Sequence, residues 1–182
     1  MKMKKYVTLA TFVAAIALFA TVACKEKKQS DDIIIAKYVP ETPQAPIKLP
    51  VDHRNSQVDW LGKNYEVDIT RHAADSLPML TDETGQKYVD NIIKIQVKRS
   101  DNSVFINKSF TKSSFAMYLN EDMRNSGYLE NIVLHGIKDG ALFFGVVISH
   151  PGSEDEFVPL EMLIDRLGGL VVRQGELFDM NI

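Results

Sequence analysis

The chain has 182 residues, of which 45% are hydrophobic and 25% are charged, and its formal net charge is −3. This hydrophobic content is typical of a folded globule and not of a disordered chain. The acidic balance argues against nucleic acid as a partner, because phosphate backbones are bound by clustered Lys and Arg. The length suits one ordinary domain with a buried core.

Residues 1–23 predict a secretory signal peptide. Lys2, Lys4 and Lys5 supply its positive start, and residues 6–23 carry no charge and are mostly apolar. A spanning helix needs roughly 20 apolar residues, so an uncleaved membrane anchor is the alternative. The short run and its small terminal residues favour cleavage.

The only cysteine, Cys24, stands where the apolar run ends. Thr21-Val22-Ala23-Cys24 resembles the lipobox of bacterial lipoproteins, whose cysteine receives a diacylglycerol and becomes the new N-terminus. The resemblance implies lipidation of Cys24 by acyl chains such as palmitate. A chance cysteine in an ordinary signal peptide is the alternative. Two or more acyl chains anchor a protein stably to a membrane. We therefore expect a protein of the cell envelope, held on the outer membrane and either periplasmic or surface-exposed.

Residues 24–56 are expected to form a tether. Proline spacing of this kind favours extended polyproline II segments that hold a domain off its anchor. The apolar triplet at residues 33–35 interrupts the tether. It is either part of a semi-ordered linker, or an added strand of the domain, or a site of self-association. The prolines of the tether are Pro40, Pro43, Pro46 and Pro50.

Residues 57–182 predict a single β-rich domain of the α+β class. The expected architecture is a mostly antiparallel β meander, forming a curved sheet or partly open barrel, with one amphipathic helix. Trp60 is expected in the core, and residues 73–87 are expected to be a loop because of their breakers. The strand-like segments are 58–60, 65–70, 89–98, 104–110, 129–137, 141–149, 157–166 and 170–174.

Two segments of this domain carry the clearest patterns. Residues 89–98 alternate in polarity, which predicts a half-buried strand with Asp90 on its solvent side. Asp139-Gly140 predicts a tight turn between residues 129–137 and 141–149. The second of these segments is apolar on both sides, so we expect a central strand buried on both faces. The core side of the first strand is expected to carry Val89, Asn91, Ile93, Ile95 and Val97.

One amphipathic helix is predicted near the middle of the domain. Ser113 or Ser114 is expected to accept the unpaired amides at its start. Phe115 and Leu119 share one face at a spacing of i, i+4. Gly127 is expected to end the helix in the left-handed conformation.

Four short blocks of the domain resemble the recurring blocks of a family of uncharacterised lipoproteins from Bacteroidetes. The resemblance covers about residues 57–174 and implies a lipid-anchored envelope protein with no assigned activity, substrate or catalytic residue. The blocks are Asp59-Trp60-Leu61-Gly62, Asp75-Ser76-Leu77-Pro78, Phe110-Thr111-Lys112-Ser113-Ser114-Phe115 and Asp165-Arg166-Leu167-Gly168-Gly169.

The sequence singles out no catalytic, metal or cofactor site. The four histidines lack the i, i+4 pairing of a helical zinc site. A metal site built from His72, Asp68 and Asp75 is one interpretation of these residues, and a solvated hairpin edge is the alternative. The acidic segment 150–156 is either a calcium site or a solvated turn. The ligand spacing of an EF-hand loop is missing, which favours the solvated turn. We therefore expect no metal and no cofactor.

One modification site is predicted in addition to the lipid. Asp75-Ser76-Leu77 resembles the Asp-Ser/Thr-apolar acceptor of periplasmic O-glycosylation in Bacteroidetes. The expected loop position suits an exposed acceptor, so we expect a glycan on Ser76.

These observations favour a non-enzymatic lipoprotein that presents a β-rich domain for binding or for envelope assembly. The alternative is an envelope hydrolase, directed at glycans, that uses carboxylates in a cleft of the sheet. A third possibility is self-association through residues 33–35 or through an exposed strand edge. The expected partners are the membrane surface and an envelope protein or glycan; the oligomeric state is open.

Overall fold

The computed structural model describes residues 44–153 and 155–175. The predicted signal peptide, Cys24 and the apolar triplet at residues 33–35 lie outside the described residues. Within them the chain forms ten β-strands and two short helices. None of the helices in these ranges is long and apolar enough to cross a membrane.

The strands form two four-stranded sheets and one small hairpin, and all neighbouring strands are antiparallel. The first sheet contains, in spatial order, β1 (Asp52–Trp60), β2 (Lys63–Ala73), β5 (Asn91–Arg99) and β6 (Val104–Phe110). The second contains β10 (Leu170–Gln174), β9 (Phe157–Ile164), β8 (Ala141–Ser149) and β7 (Tyr128–Lys138). The small hairpin pairs β3 (Met79–Thr81) with β4 (Lys87–Val89).

This arrangement confirms the predicted α+β class with mostly antiparallel strands. Between β1 and β10 the described strands form open sheets and no closed barrel. The helical part consists of two short helices where one was expected.

Two tight turns explain why the long hairpins form where they do. Leu61 and Gly62 have φ angles of 54° and 71°, and Asp139 and Gly140 have φ angles of 55° and 76°. Two successive positive φ angles define the type I′ turn, whose twist matches that of the flanking strands. The Asp-Gly prediction is thereby confirmed.

The inward side chains of both sheets form one hydrophobic cluster. β8 lies at its centre, since eight of its nine residues are buried, as its apolar pattern predicted. Trp60 is 2% exposed, which confirms its predicted core position, and its Nε1 donates to the carbonyl of Gly140 at 2.8 Å. Full burial of one large aliphatic or aromatic side chain contributes about 1.5–3 kcal/mol.

The predicted helix is divided into a 3-10 helix, Lys112–Tyr118, and an α-helix, α1 (Glu121–Ser126). Phe115 and Leu119 are buried as expected. Asn120 caps α1, because its side-chain oxygen accepts from the amide of Met123 at 2.8 Å.

The predicted conformation of Gly127 is wrong. Its φ angle is −72°, and its amide donates to the carbonyl of Met123 at 3.1 Å. An added Cβ would lie 2.8 Å from that same carbonyl oxygen. Glycine is needed here because a Cβ would collide with the last turn of α1, and not because the backbone turns left-handed.

Two segments are more ordered than expected. β1 begins at Asp52, and Ile47 forms a bridge with Tyr88, so pairing starts before residue 57. The interpretation of residues 73–87 as loop alone is wrong, because they contain β3 and the first residue of β4. The sequence does not predict β3 and β4 because three residues are too few to show the alternation of polar and apolar residues that indicates a strand.

Candidate functional site

The described residues contain a cleft of about 460 Å³ where three separate segments meet. The turn between β3 and β4 forms one wall, α1 forms the second, and the turn between β8 and β9 forms the third. Its lining includes four acidic residues and one histidine, and among the described lining residues there is no Lys or Arg. The ionisable lining residues are Asp82, Glu83, Asp122, His150 and Glu156.

Asp82 is fixed by its own turn. Its Oδ1 accepts from the amide and the hydroxyl of Thr84, at 2.9 and 2.7 Å, and from the amide of Gln86 at 2.9 Å. Its Oδ2 accepts from the Tyr88 hydroxyl at 3.2 Å. These hydrogen bonds, foremost that of the Thr84 side chain, hold the pKa of Asp82 below its ordinary value. The carboxylate therefore keeps its charge and its position on the cleft wall.

Tyr88, which donates to Asp82, lies close to the turn between β8 and β9. Burial, assisted by the charge of Asp82, raises the pKa of the Tyr88 phenol. A Cβ at Gly152 would lie 3.2 Å from the Tyr88 oxygen, and Gly152 has a φ angle of 78°. Glycine at this position thus permits both the turn and the close approach of the two walls.

His150 and Asp122 pair across the cleft. The Nε2 atom of His150 lies 2.7 Å from Oδ2 of Asp122. The histidine side chain is 16% exposed and the carboxylate is 69% exposed. An imidazole nitrogen can donate or accept a hydrogen bond, and a carboxylate accepts strongly from a cationic donor, so this pair suits a ligand with a cationic group.

A second polar group lies inside the molecule, where the two sheets meet. Asp90 is 5% exposed, and its Oδ1 accepts from the amides of Asn91 and Leu129 at 2.7 and 2.9 Å. The prediction that Asp90 faces solvent is therefore wrong: Asp90 lies between β4 and β5, and its carboxylate is held by the Leu129 amide at the start of β7. Burial raises its pKa, while the two amides and Lys112 act in the opposite direction.

The surroundings of Asp90 are also polar. Lys112 donates to the carbonyl of Gly127 at 2.6 Å. Burial lowers the pKa of Lys112, and the charge of Asp90 acts in the opposite direction. Arg71 donates to the carbonyl of Glu130 at 2.8 Å, and the Ser149 hydroxyl bonds the Glu130 carboxylate. Burial raises the pKa of Tyr128 to about 12. These contacts connect β2 and β8 to the start of β7.

The candidate residues at positions 68, 72, 75 and 76 fall outside the cleft, whereas the acidic segment 150–156 contributes His150 and Glu156 to its lining. Ser76 is exposed in the turn that follows β2, and its neighbour Asp75 pairs with Lys48 at 2.7 Å. Asp68 bonds His53 at 3.2 Å and Lys98 at 3.3 Å, so the postulated group of His72, Asp68 and Asp75 is not assembled. The described residues contain no group of three or more His, Cys, Asp or Glu arranged for a metal ion. Cys24 lies outside them.

The sequence profile of a family described as Domain of unknown function (DUF4738) matches residues 33–172. The chain belongs to the DUF4738 family. Its membership confirms the expected relation to an uncharacterised family, and every described residue that lines the cleft lies within the matched range. No curated protein matches the chain significantly. The DUF4738 match begins well before β1, which agrees with the early start of pairing at Ile47.

Sequence reasoning missed most of the cleft of this DUF4738 domain. The sequence identifies the segment 150–156 only as an isolated acidic turn. The signal that was present is Asp82-Glu83-Thr84-Gly85, since an Asp two residues before a Thr favours a turn closed by the carboxylate. Nothing local indicated that Asp122, 28 residues from His150, would become its partner.

Proposed function

We propose that this protein is a lipid-anchored component of the bacterial cell envelope, carried on the outer membrane, and that its β domain is a non-enzymatic binding module. The observation that carries the proposal is the position of the only cysteine, Cys24, directly after 18 uncharged residues that follow Lys2, Lys4 and Lys5. Acylation at this position gives durable anchoring without a spanning helix. The expected glycan on Ser76 belongs to the same proposal, and its exposed turn supports it.

The anchor is tested by metabolic labelling with an alkyne analogue of palmitate in a bacterial host. The wild-type chain is expected to incorporate the label and to sediment with membranes. The Cys24→Ser chain is expected to lose both properties, while Ser76→Ala keeps them. Membrane retention of the unlabelled Cys24→Ser chain would contradict the anchor.

The cleft supports the binding part of the proposal. Its volume of about 460 Å³ lies in the range of roughly 300–1,000 Å³ that small-ligand sites occupy. Asp82 retains its charge because its pKa is lowered, and Asp122 and Glu156 add further carboxylates. The ligand class that fits this charge is one with an exposed ammonium or guanidinium group.

Binding is tested with a fluorescent tri-lysine peptide, with tri-glutamate as the comparison ligand. Asp122→Asn combined with Glu156→Gln removes two exposed carboxylates and leaves the Asp82 turn intact. We expect tri-lysine affinity to fall by about 5–10-fold, since each exposed ion pair contributes up to about 1 kcal/mol. Asp155→Asn, an exposed position beside the cleft, is the matched control. Equal affinity of all three proteins would reject the cleft as the binding site.

A hydrolase directed at envelope glycans is the second candidate. It is favoured by the 2.7 Å contact between His150 and Asp122, which lies in the same cleft as the Asp82 carboxylate. If this function is correct, His150→Ala should abolish release of soluble sugars from isolated envelopes, while His72→Ala should leave it unchanged. Absence of sugar release by the wild-type chain would exclude the hydrolase function.

A further inference from the structure

β1 differs from the other three edge strands of the two sheets. It has nine residues, and its register with β2 is unbroken. β6 and β7 are interrupted by register shifts, and β10 has five residues. Bulges and shortness are two of the devices by which edge strands avoid pairing with other chains. Of the four edges that the structure describes, β1 is the one without either device.

The backbone groups on the outer edge of β1 follow from its hairpin. In a two-residue hairpin the residues that flank the turn form a hydrogen-bonded pair, here Trp60 and Lys63. Even-numbered residues of β1 therefore point their amides and carbonyls at β2. Odd-numbered residues point theirs away from the sheet, and in the described part of the chain no strand pairs with that edge. These residues are His53, Asn55, Gln57 and Asp59.

The side chains of these four residues are complementary to themselves when the strand is reversed. In an antiparallel pair centred on Ser56, His53 lies opposite Asp59 of a second copy, and Asn55 lies opposite Gln57 of that copy. All four side chains are exposed. Imidazole faces carboxylate and amide faces amide, which are favourable cross-strand pairs.

The same register also satisfies the backbone. Antiparallel hydrogen-bonded pairs would join residues 53 with 59 and 55 with 57, twice each by symmetry. All outward groups of the four residues are then used, in about eight hydrogen bonds. A slip of two residues in either direction leaves one of the four unpaired on each copy. The centred register is therefore the preferred one.

We propose that β1 is the dimerisation edge of this protein, and that a second copy of the chain pairs with it antiparallel, about a twofold axis at Ser56. The two first sheets then become one continuous eight-stranded sheet. The interface is isologous, so it closes at two copies and does not propagate. This inference is independent of the cleft and of the lipid anchor.

Disulfide trapping tests the proposal, because Ser56 meets its own copy at the axis. Facing residues of a non-hydrogen-bonded antiparallel pair have Cα atoms about 4.5 Å apart, within the range of roughly 4.4–6.8 Å that a disulfide spans. The full chain carries Cys24→Ser, so that the added thiol is the only one. Ser56→Cys is compared with Lys94→Cys, which adds a thiol to an exposed position of β5 in the same sheet.

Mild oxidation is expected to convert Ser56→Cys to a covalent dimer at least about tenfold faster than Lys94→Cys, because only the first thiol meets its own copy within disulfide range. Equal rates, or no dimer from either chain, would overturn the proposal. The register is tested by mixing differently tagged Asn55→Cys and Gln57→Cys chains. The mixed dimer is expected to exceed both self-dimers; a predominance of either self-dimer would overturn the register and with it the axis at Ser56.

Discussion

At the scale of single residues, the buried Asp90 couples the stability of the fold to pH. Its Oδ1 binds two buried amides, and burial raises its pKa above the ordinary value. The native state therefore holds this proton more tightly than the unfolded chain does. The resulting stabilisation is complete below about pH 4, the ordinary pKa of the group, and is lost as the pH rises through the raised pKa.

Substitution of Asp90 separates its charge from its hydrogen bonds. Asp90→Asn retains an oxygen acceptor without the charge, so its free energy of unfolding relative to wild type should rise as the pH is increased from 4 to 7. Asp90→Ala leaves two buried amides unpaired and should cost about 1–3 kcal/mol for each. Urea unfolding at several pH values measures both, with the exposed Asp155→Asn as control. An Asp90→Asn difference that is independent of pH would refute the coupling.

Two glycines allow a comparison of close contacts. A Cβ at Gly127 would meet the Met123 carbonyl at 2.8 Å, a backbone atom that cannot move independently. A Cβ at Gly145 would instead meet the far end of the exposed His135 side chain, and not the backbone. Gly127→Ala should therefore lower the free energy of unfolding by about 1–3 kcal/mol, and Gly145→Ala by clearly less. Similar losses for both would contradict this account.

At the scale of elements, a hydrogen bond links the turn end of the first long hairpin to the turn of the second. Trp60 Nε1 donates to the carbonyl of Gly140 at 2.8 Å, and Gly140 has a φ angle of 76°. Trp60 therefore links the end of β1 to the turn between β7 and β8.

Loss of this hydrogen bond should be measurable by denaturation. Trp60→Phe retains an aromatic ring but leaves the Gly140 carbonyl without the indole, so we expect a loss of about 1–2 kcal/mol. Gly140→Ala keeps the carbonyl but strains a positive φ angle, at about 1–2 kcal/mol. The double variant should lose less than the sum, because each single change already weakens the same hydrogen bond; strict additivity would contradict the link.

The elements differ in how far the sequence could predict them. The hairpin at Asp139-Gly140 could be predicted because turn type depends on adjacent residues. The burial of Asp90 could not be predicted from its neighbours in the sequence, because it depends on Leu129, 39 residues later in the chain. The cleft was missed for the same reason: Asp82, Asp122 and His150 come from three segments that only the packed sheets bring together.

At the scale of the whole molecule, β8 is an inner strand of the second sheet and its most completely buried one. It pairs with β7 on one side and with β9 on the other. Leu142, Phe144 and Ile148 have no exposed surface. None of its central amides can meet solvent unless the second sheet separates.

Those amides consequently act as reporters of complete unfolding. In deuterated buffer the protons of Val146 and Val147 should exchange last, with a protection equal to the equilibrium between native and unfolded chains. Protons near Ser76 or in the β9–β10 connection should exchange through local fluctuations, many orders of magnitude sooner. A single spectrum series at residue resolution would thus read out the global stability of the domain from one strand, without any denaturant.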